Sequence, residues 1–190
     1  MNRAARGLIL AACAGAFSAR TQPPAASPQA AGLESDWEIA AVLKEISAHA
    51  ARVLPLLDRA DAGQWVAKGA PAAYAAQLQS SKDMAQALAD GAKAVADNPE
   101  TLSAEMKVLF REQGLETLLG SVAEAMRKYQ NAAAAQQLVS TAAEWGTNRD
   151  RLQQYVINLA AEREKEYQVM DKEAQRCRAL ELAPPPKKKK

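Results

Sequence analysis

The stretch NAAAAQQLVSTAAEWGTNRDRLQQYVINLAAEREKEYQVMDKEAQRCRALE, residues 131–181, decides how this chain is read. Apolar or small residues recur in it at Leu138, Ala142, Trp145, Leu152, Val156, Leu159, Tyr167, Met170, Ala174 and Cys177. Steps of three and four residues keep those positions on one side of a helix. Arg149 and Arg163 fall on the same stripe, where long stems cover apolar surface while the guanidinium reaches water. Asn131 suits the N-cap, and Pro184–Pro186 stop the run because proline lacks the amide hydrogen. Gly146 is the weak point, costing about 1 kcal/mol relative to alanine. The stripe keeps its phase across it, so the spacing predicts one continuous or gently bent helix. Such a helix would be on the order of 75 Å long. That exceeds what a compact domain needs, so part of it projects or packs on a partner.

Working outward, composition fits the same class. The 190 residues are 48% hydrophobic but only 5% aromatic, and alternating β-branched runs are missing. An all-α fold follows: an elongated antiparallel bundle of four principal helices ending in the long one. The first helix is expected over 36–60, opened by the capping box Ser35-Asp36-Trp37-Glu38. Ile39, Val42, Leu43, Ile46, Ala50, Val53, Leu54 and Leu57 mark its apolar face, with Pro55 nearly opposite. The second, over 71–96, carries Tyr74, Leu78, Ser81, Ala85, Leu88, Ala92 and Val95 at strict four-three spacing. Between them lies DAGQWVAKGA (61–70), whose Trp65 and Val66 read either as a plug on the bundle end or as an interaction surface.

The third segment, 103–130, shows a change of phase. Leu102, Met106, Leu109 and Phe110 share one face, while Leu115, Leu118, Leu119, Val122, Met126 and Tyr129 share the opposite one. A break near Gln113-Gly114, giving two helices, is the expected resolution.

The amino terminus has the pattern of a secretory signal over 1–18: Arg3 and Arg6, then an uncharged run from 7 to 19 with small residues around Ser18. That run is short of the roughly 20 apolar residues a bilayer span needs. Leu10-Ala11-Ala12-Cys13 resembles the lipobox of bacterial lipoproteins, with six uncharged residues between Arg6 and the cysteine. The resemblance implies a signal of 1–12 and a lipid on Cys13, the alternative to cleavage after Ser18. Residues 19–34 form a Pro/Ala-rich linker, 35–182 the bundle, and 183–190 a Pro/Lys tail. Either amino-terminal reading places the protein in the periplasm or cell envelope, with membrane attachment only through the lipid.

Charge is unevenly placed. The total is +2, yet all 22 acidic residues lie after position 33 and the last four residues are lysines. Lys187, Lys188, Lys189 and Lys190 offer weak, salt-sensitive contact with anionic envelope polymers, without specificity for nucleic acid. Once a signal is removed, Cys177 is left without a second cysteine to bridge within the chain; it is either buried in the helix seam or paired between chains, and its place on the stripe favours burial.

Little in the sequence carries chemistry. His49 is the single histidine, on the flank of the first helix's stripe and without a nucleophile marked out for it. Glu45 stands four residues from His49, where the di-iron bundle motif requires three. The carboxylates Glu162, Glu164, Glu166, Asp171 and Glu173 alternate with Arg163, Lys165 and Lys172, the mark of a solvated helix face. No catalytic residue, cofactor or metal site is expected. The reading is an exported, non-enzymatic helical protein acting as a structural or protein-interaction module, through a protein partner or self-association. A periplasmic chaperone-like or small-ligand-binding bundle is the alternative.

Overall fold

In the computed structural model, which describes residues 34–182, the apolar stripes resolve into six helical segments. They are α1 (Asp36–Asp58), α2 (Ala62–Ala67), α3 (Ala73–Val95), α4 (Leu102–Tyr129), α5 (Ala132–Ala143) and α6 (Gly146–Glu181). No strand occurs among the described residues. The segments expected to be signal, lipid-bearing Cys13 and lysine tail lie outside them.

α1 packs on α3, α3 on α4, α4 on α5, and the first half of α6 closes the ring against α1 and α4. The all-α bundle read from the stripes is therefore the architecture, with α5 and α6 together as its fourth member. The expected caps form. Glu38 accepts the Ser35 N–H at 3.1 Å, and the Asn131 side chain accepts the Ala133 N–H at 2.8 Å. Pro55 sits exposed inside α1, whose core residues Ile39, Leu43, Ile46, Val53 and Leu57 continue past it. Every expected stripe position of α3 from Leu78 to Ala92 is buried, and Ser47 of α1 donates to the Ala89 carbonyl at 2.8 Å.

The short α2 closes one end. Trp65 is fully buried, and Gly69, at φ 89°, makes the left-handed turn into α3 that a side chain would resist. Gln130 ties this end together. Its Oε1 accepts the Trp65 Nε1–H at 2.9 Å and the Asp61 N–H at 3.0 Å, while its Nε2 donates to the Arg59 carbonyl at 2.8 Å.

Two expectations are corrected. α4 is unbroken from Leu102 to Tyr129. Its buried seam is Glu105, Val108, Glu112, Leu115, Leu119, Val122 and Met126, a single three-four repeat that two carboxylates disguise. Phe110 and Met106, which the sequence places on one face with Leu102 and Leu109, are exposed. Gly114 serves close approach to α3 instead of a break, since a Cβ there would meet Met84 Sδ at 3.0 Å.

The long carboxy-terminal run is the bent helix that its stripe predicts, helical from Ala132 to Glu181 with the bend at Glu144-Trp145. There Glu144 N–H reaches the Thr141 carbonyl at 3.3 Å and Trp145 N–H the Ala142 carbonyl at 3.4 Å. These tightened turns keep both residues in the right-handed region, so the chain changes direction without leaving helical conformation.

The stripe also ends earlier than expected. Leu138, Trp145, Leu152, Val156 and Leu159 are buried, but residues 164–182 are all exposed. Tyr167, Met170 and Cys177 thus face outward, and burial of Cys177 is overturned. No described helix is long and apolar enough to cross a membrane.

Candidate functional site

The feature of this bundle that packing alone does not explain lies on α4. Glu105 is 0% and Glu112 1% exposed, and no carboxylate oxygen of either meets a hydrogen-bond partner within the protein. A buried carboxylate without donors favours its protonated form, because the low-dielectric interior penalises charge. Burial accordingly pushes Glu105 up to about 8. Glu112 is raised to about 7, burial outweighing the Arg149 guanidinium that acts in the opposite sense. Beside Glu105 stands Tyr155, whose hydroxyl donates to the Pro99 carbonyl at 3.1 Å. Burial, with the Glu105 charge second, raises that phenol to about 12.

Glu112 differs from Glu105 in lying beside a cavity, although neither of its carboxylate oxygens opens into it. The bend between α5 and α6 swings Trp145 and Arg149 over α4, enclosing about 250 Å³ among Glu112, Glu116, Leu119, Ala142, Trp145 and Arg149. Arg149 Nη1 pairs with Glu116 Oε2 at 2.6 Å, which fixes the guanidinium at the mouth. The Trp145 indole is 4% exposed and its Nε1–H has no acceptor in the protein. A second hollow of about 200 Å³ continues the first between α4 and α5, sharing Glu116, Leu119 and Ala142 and adding Leu138 and Val139. The corner thus joins an end rich in polar groups to an apolar one.

On its other side Trp145 meets α1. The His49 ring lies 6.4 Å from the indole, and His49 Nε2 sits 3.3 Å from Glu144 Oε2, which Arg52 also approaches at 3.4 Å. His49 is therefore a boundary residue bracing the bend. Glu45, its neighbour on α1, accepts from Asn148 Nδ2 at 2.8 Å. The cavity's lining has no hydroxyl or thiol. Glu112 and Trp145 line it with their polar atoms buried, so its open polar groups are those of Glu116 and Arg149, paired with each other at 2.6 Å.

The residues singled out from the sequence fall elsewhere. Trp65 is buried and Val66 43% exposed, at the α2 end, some five turns of α4 from Glu112 or roughly 27 Å. Cys13 and Lys187–Lys190 lie outside the described residues. The acidic face of α6 is solvated and internally paired, Arg163 with Glu166 at 2.9 Å and Lys165 with Glu162 at 2.7 Å. Among the described residues no group of three His, Cys, Asp or Glu side chains comes together to hold a metal ion.

Glu105 and Glu112 went unnoticed in the sequence, although a signal existed. Stepping back from Leu119 and Leu115 by the seam's own intervals lands on Glu112, Val108 and Glu105. Comparison with family models, curated proteins and solved structures found no match to this chain.

Proposed function

We propose that this protein is a non-enzymatic helical interaction module of the cell envelope that self-associates through the free end of α6. The observation that carries the reading is that residues 164–181 stay helical while every one of them is exposed. About 27 Å of helix lies exposed there, without the packing of an amphipathic face that supplies most helical stability in proteins. Ion pairs such as Arg176 with Glu173 at 3.7 Å offset this by only a few tenths of a kcal/mol each, roughly 0.2–0.5. A partner surface supplies the rest.

The exposed stripe Tyr167, Met170, Ala174, Cys177 has three-four-three spacing, the pattern of a two-helix seam. An antiparallel second copy fits it best. That arrangement sets Tyr167 against Cys177 and Met170 against Ala174, large against small, whereas a parallel pair would oppose equals. It also lays the more acidic stretch 164–173 along the stretch holding Arg176 and Arg178, and keeps the two bundles at opposite ends. Support for a binding role over turnover comes from His49, whose neighbours are Glu144 and Trp145. Export rests on Arg3, Arg6 and the uncharged run after them, with Cys13 as the site of a lipid in the tethered form.

Sedimentation velocity on the full chain tests the reading. A dimer that becomes monomeric in Met170→Glu is the expected result, and a concentration-independent monomer defeats it. Introducing Tyr167→Cys beside the native Cys177 should give an oxidised, cross-linked dimer, while the unaltered protein should cross-link poorly because its two thiols lie about 15 Å apart. Intact mass from the native envelope distinguishes cleavage after Ser18 from a lipid on Cys13.

A further inference from the structure

We propose that the first half of α6 is a pH-sensitive strap, which swings off α4 about the Glu144-Trp145 bend when the carboxyls buried beneath it ionise. Where those carboxyls lie is the first reason. Glu105 stands next to Tyr155 of α6, whose phenol feels its charge, and Glu112 lies within reach of the Arg149 and Asp150 charges of the same helix. Both are buried where α6 meets α4, and neither finds a donor there. Native interiors rarely leave such groups unpaired without a functional reason, and here two share one interface.

The packing makes α6 the helix able to leave. α5 packs on α1 as well as on α4, so α1, α3, α4 and α5 close a ring without it. Its own hold on that ring is short: past Trp145 it buries only Asn148, Leu152, Tyr155, Val156 and Leu159. The hydrogen bonds at the bend, 3.3 and 3.4 Å, are long, so the connection gives there before either helix does.

The surrounding charges leave the two carboxyls uncompensated. Beside Glu112, Arg149 is drawn to Glu116 at 2.6 Å and to Asp150 at 3.6 Å. Toward Glu105 and Tyr155, Arg163 pairs with Glu166 at 2.9 Å and Glu100 at 3.6 Å, and Asp36 of α1 adds negative charge. Also on α1, Glu45 accepts from Asn148, His49 and Arg52 stand on Glu144, and Lys44 is exposed. On α4 itself, Arg111 donates to the Ala87 carbonyl of α3. On α3, Lys82 pairs with Asp58, Asp83 and Asp90 accept from Gln79 and Gln86, and Lys93 is exposed. α5 carries no charged residue. Each carboxyl, once ionised, therefore gains by reaching water, and departure of α6 uncovers both while the other helices stay packed.

Protons hold the strap down. With α6 released the carboxyls titrate near 4.5, and with it seated at about 7 for Glu112 and about 8 for Glu105. Their support for the seated form is complete below about pH 4.5 and is lost as the pH climbs through the two higher values. Between about pH 6 and about pH 8 the released fraction rises about 10-fold through Glu112 and about 50-fold through Glu105.

The test is hydrogen exchange of the full chain at about pH 6 and about pH 8, read by mass spectrometry, each rate divided by its intrinsic value. Protection over 146–163 should fall by the product of the two factors, about 500-fold, and at about pH 8 should lie at least tenfold below that over 78–92 of α3. Low concentrations of urea should leave exchange over 146–163 nearly unchanged, because a strap exposes little surface on opening. In Glu105→Gln/Glu112→Gln the fall over 146–163 should shrink to a few-fold. Glu105→Gln alone should retain the roughly 10-fold part and Glu112→Gln alone the roughly 50-fold part, with protection over 78–92 showing that each variant is folded. Met170→Glu should leave the response in place, which separates the strap from the free end of α6. Equal protection of 146–163 and 78–92 at both pH values means that α6 leaves only when the whole bundle unfolds, and overturns the proposal. A full response in the double variant, or its loss in Met170→Glu, overturns it too.

Discussion

Glu105 and Glu112 stand two turns apart on the seam of α4, both sealed from solvent and both without a donor to their oxygens. The seam therefore carries acid groups where the repeat asks for apolar ones, and the folded state holds two protons that the unfolded chain gives up more readily.

Stability should fall as pH rises toward the alkaline side. Unfolded carboxyls titrate near 4.5, while the folded groups do so at about 7 for Glu112 and about 8 for Glu105. Their contribution is complete below about pH 4.5 and is lost as the pH climbs through those two values, because unfolding then releases protons. At 1.36 kcal/mol per unit the loss is on the order of 3–5 kcal/mol for each group. Around Glu112 the charges that modulate this are Arg149, Glu116 and Asp150. The double variant Glu105→Gln/Glu112→Gln should be more stable than the parent at about pH 9 and similar to it at about pH 5. Urea titrations across that range check this, and a steep loss retained in the double variant would falsify it.

Gln130→Ala should destabilise the α2 end by about 1–3 kcal/mol. It strands the buried indole N–H of Trp65 and frees the Asp61 amide and the Arg59 carbonyl. Faster amide exchange confined to residues 59–70 would accompany a lowered urea midpoint.

Tyr155→Phe removes the bond from its hydroxyl to the Pro99 carbonyl inside the core, at an expected cost of about 1 kcal/mol. The denaturant slope should stay constant while the midpoint drops, since no surface exposure changes.

Met170→Ala and Tyr167→Ala, in contrast, should leave monomer stability within about 0.5 kcal/mol, because both side chains are some 70% exposed. The same substitutions should reduce dimer in sedimentation. Equal dimer in parent and variants would point to a different self-association surface.

How much of this was legible depended on what each residue's neighbours were. The α3 stripe and the caps at Ser35 and Asn131 could be read directly, because spacing and hydrogen-bonding side chains act within one or two turns. The continuity of α4 could not, since Glu105 and Glu112 look like surface residues when each is taken singly. Gly114 reads as a helix breaker by itself, and only the Met84 side chain packed against it accounts for a glycine there.

The sequence by itself determined helical class, the caps, the stripes and the bend-tolerant carboxy-terminal run, all consequences of local periodicity and backbone chemistry. Tertiary structure alone decided where that stripe stops being covered, at Arg163, and which polar groups are sealed in beside Trp145. Burial is a property of what packs opposite a residue, and periodicity within one helix contains no information about its neighbour's length.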